Sequence, residues 1–191
     1  SYLAMKEGAT AFDEDEIGAA IPHLKAGGVK LQVCAMFALT APGSYEMGMA
    51  QAEKFRELID SGVVRRWEKH LKWEEVRNDE HIYVLPAIEN ASNFCDEEVG
   101  ITQALYQMEG LMSRTGKPLY LTMTHHAENR FGGGNRTRVG LKPDGAVLLE
   151  YLDKRDIAID LSHTSDVLAH EIFKYIAGRK LEIPLITSHS N

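Results

Sequence analysis

The sequence predicts an α/β fold with a parallel sheet, arranged as a (β/α)8 TIM-type barrel, and three observations carry that prediction. Short apolar runs rich in β-branched residues alternate with helical stretches along the chain. A run such as Ile157 to Leu161, polar only at Asp160, reads as a strand buried on both faces, as in parallel sheets covered by helices. Glu89, His125, His163 and His189 each follow one of these runs, at the carboxyl end of a predicted strand. In a barrel those ends converge on one face, whereas in a doubly wound sheet they spread along an edge. The barrel is therefore the preferred architecture.

In chain order, Asp15 to Ala26 is read as a helix and Val29 to Leu39 as a strand. Met47 to Ser61 and Val64 to Val76 are read as two further helices. Ile82 to Ile88 is the next strand, although Pro86 cannot donate a ladder hydrogen bond, so this strand is expected to begin late or to kink. The clearest helix is Glu97 to Arg114, where Ile101, Ala104, Leu105, Met108 and Leu111 recur at three- and four-residue steps before Gly116. Leu119 to Thr124 is a strand, and Pro143 to Lys154 a helix with proline in its first turn. After strand Ile157 to Leu161, Thr164 or Ser165 supplies an N-cap. Val167, Leu168, Ile172 and Ile176 then share a helical surface that Gly178 ends. Pro184 to Thr187 is the last strand.

At 191 residues the chain is long enough to bury a good core, and it is read as a single domain over 1–191 with 44% hydrophobic residues. No apolar run is long enough to cross a bilayer and no signal peptide is visible, so a cytoplasmic location is expected. The net charge of −7 argues against a nucleic-acid partner, which needs a basic face. Two cysteines, Cys34 and Cys95, suggest no disulfide framework, and Cys34 reads as a small core residue. Asp13 to Glu16 and Trp67 to Glu75 read as solvated helix faces, and His23, His70, His81 and His170 as surface residues.

Five segments then occur in a telling order: IENASNF after a strand, YLTMTHHAENRFGGGN, GLKPDGAVLLEYL, IAIDLSHTS and PLITSHSN. Together they resemble the renal (membrane) dipeptidase family of zinc metallopeptidases, and the upstream IPHLKAGGVKLQVCAMF resembles its second strand region. The resemblance implies a barrel holding two Zn2+ ions that hydrolyses dipeptides with a metal-activated water. By position it implies that Glu89 bridges the metals, that His163 and His189 bind one of them, and that His125 contacts the substrate and polarises the scissile carbonyl. The family's first strand ends in a His-x-Asp pair that ligates the other zinc, and Ser1 falls just after that point. The chain also stops before the family's substrate-carboxylate arginine and late aspartate. The resemblance thus implies an incomplete barrel of the metal-dependent hydrolase kind, with about half to two thirds of the fold present.

The residue types suit this chemistry. Neutral imidazoles and carboxylates are zinc ligands, and a carboxylate can bridge two ions where a single nitrogen cannot, which makes Glu89 the natural bridge. Each imidazole needs a partner on its other nitrogen; Asp160 is expected to point away from His163 or to cap locally. The simpler alternatives are a capping or buried hydrogen-bonding role for each histidine and an N-cap or loop role for Glu89. His126 is an alternative to His125. Arg130 is a candidate substrate contact, and with Asn129 and the Gly132-Gly133-Gly134 run it is a candidate for shaping the pocket, the plainer reading of the glycines being a flexible turn. The expected partners are a dipeptide substrate and a second copy in a homodimer. The rival functions are another two-metal barrel hydrolase, acting on a phosphoester or cyclic amide, and a non-catalytic barrel used for binding.

Overall fold

The computed structural model of the chain describes residues 19–189. The stretch Asp13 to Glu16 and the first residues of the helix expected from Asp15 lie outside the described residues. The described elements are α1 (Ile21–Ala26), β1 (Leu31–Phe37), α2 (Ser44–Asp60), β2 (Val64–Arg66), α3 (Trp73–Asn78), β3 (Ile82–Glu89), a 3₁₀ turn (Ala91–Phe94), α4 (Ile101–Thr115), β4 (Tyr120–Thr122), α5 (Pro143–Leu152), β5 (Ala158–Asp160), α6 (Asp166–Arg179) and β6 (Leu185–Ile186).

Every strand pairing is parallel, and the sheet runs β1-β3-β4-β5-β6, with β2 also paired to β3. From β3 onward each strand on that path lies beside the next in chain order, while β1 pairs directly with β3. A doubly wound sheet would reverse direction at a switch point, so the order is that of a barrel wall.

Two elements differ from expectation. The helix expected over Val64 to Val76 is instead β2, a loop and the short α3. Val64 is buried, and its segment pairs with Ile82 to Val84, so pairing to a neighbouring strand overrides the helical reading of the charged residues beyond it. Helical structure resumes only at Trp73, where the Glu75 carboxylate accepts the Lys72 N–H at 3.1 Å. Pro86 neither delays nor breaks β3, which pairs with β1 from Tyr83 to Glu89. The even-numbered residues of β3 face the opposite edge, where Val84 O accepts Trp67 N and Pro86 O accepts Leu119 N. The missing N–H of Pro86 therefore falls between the last pairing to β2, at Val84, and the pairing to β4, at Ile88.

The two faces of the sheet differ. Met36, Ile88, Leu121 and Ile159 pack outward with Met108 and Leu111 of α4, Leu148 and Leu149 of α5 and Leu168 and Ile172 of α6. The α4 and α6 residues are among those whose three- and four-residue spacing marked a buried stripe, whereas Leu148 and Leu149 of α5 carried no such reading. Their strand neighbours one residue away, Ala35, Ala87, Tyr120 and Ala158, form a smaller cluster on the inner face together with Ile186 of β6. Continuing that inner face by two residues toward the carboxyl ends leads from Ala87 to Glu89, from Ala158 to Asp160 and from Ile186 to Ser188.

Candidate metal centre

Glu89 ends β3, His163 lies in the turn after β5, and His189 follows β6. Glu89 Oε1 stands 3.3 Å from His163 Nε2 and 3.8 Å from His189 Nε2, and the two Nε2 atoms are 2.8 Å apart. The structure thus brings the three expected ligands to one point. His125, after β4, joins them: its Nε2 is 3.8 Å from Glu89 Oε1, and its ring lies 4.3 Å from that of His163. Phe37, from the end of β1, covers the His125 ring at 4.7 Å. His126 also approaches His163, so that His125, His126 and His163 form a second group with donor atoms within 4.8 Å of one another. Distance alone therefore does not separate His125 from the ligands.

Burial is the main reason that His163 is held neutral below the usual histidine range, and the neighbouring His189 and His126 add to it against the pull of Glu89. His125 is pushed down to about 4, first by burial and then by its cationic and imidazole neighbours. Both rings are neutral at pH 7, the form that ligates a metal or donates a single N–H.

The donor set fits zinc. Ligands about 2.0–2.1 Å from a tetrahedral ion stand about 3.3 Å apart, so Glu89 and His163 are already spaced for it, and the two imidazoles need to part by about half an ångström. His163 Nδ1 is buried without a hydrogen-bond partner, so this ring is fixed by packing. Its backbone adopts φ 65°, unusual for a residue with a side chain. The strain is held in place because the His163 carbonyl accepts Asn135 N at 2.8 Å and Thr124 Oγ1 at 3.3 Å.

That clamp explains the glycine run. A Cβ on Gly133 would lie 2.1 Å from the Val139 carbonyl oxygen, so the segment is a close backbone crossing and not a flexible turn. Gly133 O accepts Ser165 N, and Gly134 bridges to Thr164, tying the loop after β4 to the turn carrying His163. Asn135 Oδ1 lies 2.9 Å from His126 Nδ1.

Asn129 is fully committed to structure: its amide donates to Met123 O and Asn90 Oδ1, and its carbonyl accepts from Phe131 N. Asn90, adjacent to Glu89, donates in turn to Ala38 O. This buried network links the ends of β1, β3 and β4, and its residues gave no periodic signal in the sequence. Arg130 is engaged by Asp144 at 2.8 Å and by the Asp96 carbonyl at 2.9 Å. Asp160 caps locally, accepting Ser162 N and also Ser188 N. His81 is only half-buried, but it is locked to Asp79 by ring and backbone.

A parallel barrel wall with acidic and imidazole side chains gathered at its carboxyl ends has them on the face where barrel active sites are built. The family model for membrane dipeptidase (Peptidase family M19) matches residues 3–191, and the chain belongs to that family. Among solved structures, a dipeptidase described as a metallo peptidase of family M19 superposes with a TM-score of 0.68 at 20% identity, over 90% of this chain and 53% of its own. A metallo peptidase from Rhodobacter sphaeroides, liganded with a phosphinate mimic of the dipeptide L-Ala-D-Ala, gives 0.65 at 19%, over 90% and 56%. The probable dipeptidase PvdM from Pseudomonas aeruginosa gives 0.66 at 15%, over 86% and 45%. The chain thus spans about half the length of these structures. Among curated proteins there is no significant match. Among the described residues, no helix is long and apolar enough to cross a membrane.

Proposed function

We propose that this chain provides part of a two-zinc dipeptidase site in which Glu89 bridges the ions, His163 and His189 ligate one of them, and His125 contacts the scissile carbonyl. The single observation that carries the reading is the convergence of one carboxylate oxygen and two Nε2 atoms from three different strand ends, with spacings of 2.8 to 3.8 Å. Family membership supplies the reaction class. When bound, the ions would supply an activated water near neutral pH and polarisation of the peptide carbonyl.

The protein's own groups do the rest. His163 and His189 each offer an imidazole nitrogen, and Glu89 offers two oxygens. Neutral His125, pressed against Phe37, keeps one N–H to donate to an oxygen on which negative charge develops. Arg130 could reach a substrate only by leaving Asp144, so substrate contact rests on His125. Zinc stoichiometry and hydrolysis of a small dipeptide set, measured together on the complete gene product, test the reading. It expects two ions and metal-dependent turnover, and a protein that binds no zinc or cleaves no dipeptide overturns it.

A further inference from the structure

Asp160 and Ser188 were not among the residues expected to serve the metal centre, yet they stand directly behind one of its ligands. Asp160 is fully buried. Its Oδ1 accepts two backbone N–H groups, from Ser162 and Ser188, each at 3.0 Å. Its Oδ2 accepts the Ser188 hydroxyl at 2.5 Å, and the same hydroxyl oxygen lies 2.6 Å from His189 Nδ1. Tyr120 also faces this hydroxyl.

We infer that Asp160 and Ser188 are a positioning pair that fixes His189 in the tautomer protonated at Nδ1, leaving its Nε2 lone pair for the metal. The inference rests on the metal-centre reading and deepens it. A hydroxyl has one proton, and Ser188 spends it on a carboxylate that can only accept. The oxygen therefore meets His189 as an acceptor, and the proton between them belongs to Nδ1. Nε2 of His189 is then a lone pair aimed at His163 and Glu89, 2.8 and 3.8 Å away. His163 Nε2 donates to it when no ion is present, which agrees with the unpartnered His163 Nδ1. A carboxylate that sets an imidazole tautomer through its distal nitrogen is a recurrent way to orient metal ligands.

The geometry makes the isosteric change Asp160→Asn diagnostic. Only the amide oxygen can accept from Ser162 N and Ser188 N, so it must occupy the Oδ1 position, and the NH2 group then faces Ser188 Oγ. The hydroxyl oxygen now accepts a hydrogen bond from the Asn NH2 and turns its own O–H toward His189 Nδ1, the strongest acceptor beside it. His189 is thereby driven to the Nε2–H form, which cannot ligate. The logic is that of an Asp→Asn change behind a catalytic histidine, which leaves geometry intact and selects the wrong tautomer.

Two readouts on the complete gene product test this: zinc affinity by competition with a chromophoric chelator, and the His189 tautomer by 15N NMR of the metal-stripped protein. Asp160→Asn and Ser188→Ala are each expected to weaken zinc binding about 10- to 100-fold, the usual size for a ligand's supporting partner. Ser188→Thr keeps the hydroxyl and is expected to restore wild-type affinity. The wild-type NMR pattern should place the proton on Nδ1, and Asp160→Asn should move it to Nε2. Ser188→Ala leaves the buried carboxylate in place, so the test survives if the Asn variant folds poorly. Wild-type affinity in both variants while His189→Ala loses zinc, or an Nε2–H tautomer in the wild type, overturns the pair alone. Unchanged zinc affinity in His189→Ala overturns the metal centre and the pair with it.

Discussion

Gly134 lies so close to the main chain of His125 that a Cβ built on it would sit 2.1 Å from the His125 carbonyl oxygen. The same residue bridges to Thr164, next to His163. One glycine thus sets the spacing between the loop that carries His125 and the turn that carries His163. Gly134→Ala must push the two segments apart, and overpacking of this kind costs about 1–3 kcal/mol. Urea denaturation should show that loss together with weakened zinc binding. An alanine variant as stable as the wild type would show that the crossing is looser than the structure has it.

At the opposite end of the sheet, Asp79 accepts hydrogen bonds from the backbone N–H and ring of His81 and from the Tyr83 hydroxyl, and it pairs with Arg65. The His81 backbone bond is the largest of the influences that hold its carboxyl well below the usual carboxylate range. A carboxyl with a depressed folded value stabilises the fold above its unfolded value of about 3.9, and that contribution is lost as pH falls toward the folded value. Asp79→Asn should therefore lower the urea midpoint at pH 7, with the gap to wild type narrowing below about pH 4. A gap that stays constant from pH 7 to pH 3 would show that the charge of Asp79 is not what stabilises this end.

Helices α4 and α6 were legible because their buried residues recur at helical spacing, and Ala104, Met108, Leu111, Leu168 and Ile172 are indeed inaccessible. β2 was not legible, because Val64 to Arg66 become a strand only through the edge that β3 offers them. The ligand candidates could be read from their place after strands. The atoms that support them could not, because a buried Asn90 or Asn129 follows no period and its partners lie dozens of residues away. One signal does lie in the sequence, in the two Ser-His pairs, because both serines support the same histidine. Ser188 contacts His189 Nδ1, and Ser162 Oγ accepts the His189 N–H.

His163 sits at a strained turn, packed by rings and without a hydrogen bond to Nδ1. Removing the ring takes away a ligand candidate while the Asn135 and Thr124 bonds to the His163 carbonyl remain. His163→Ala in the complete gene product should lose bound zinc and most turnover while its circular dichroism stays that of the wild type. The loss of affinity should exceed the 10- to 100-fold typical of a supporting partner, because a donor itself is gone. Full occupancy with unchanged turnover would remove His163 from the ligand set.

His125 raises the sharper question, since its Nε2 is as far from Glu89 Oε1 as that of His189, at 3.8 Å. What distinguishes it is its surroundings. It packs at tilted angles against Phe37, His126 and His163 and is pushed down to about 4, so its ring is neutral with a single N–H. A donor to the carbonyl oxygen should cost on the order of 10²- to 10³-fold in kcat when removed, with metal retained. A ligand would lose metal and activity together. His125→Ala kinetics beside zinc stoichiometry separate the two, and His126→Ala, whose ring is held by Asn135, serves as the control. Zinc loss in His125→Ala would move this residue into the ligand set, and the carbonyl contact would then fall to another group.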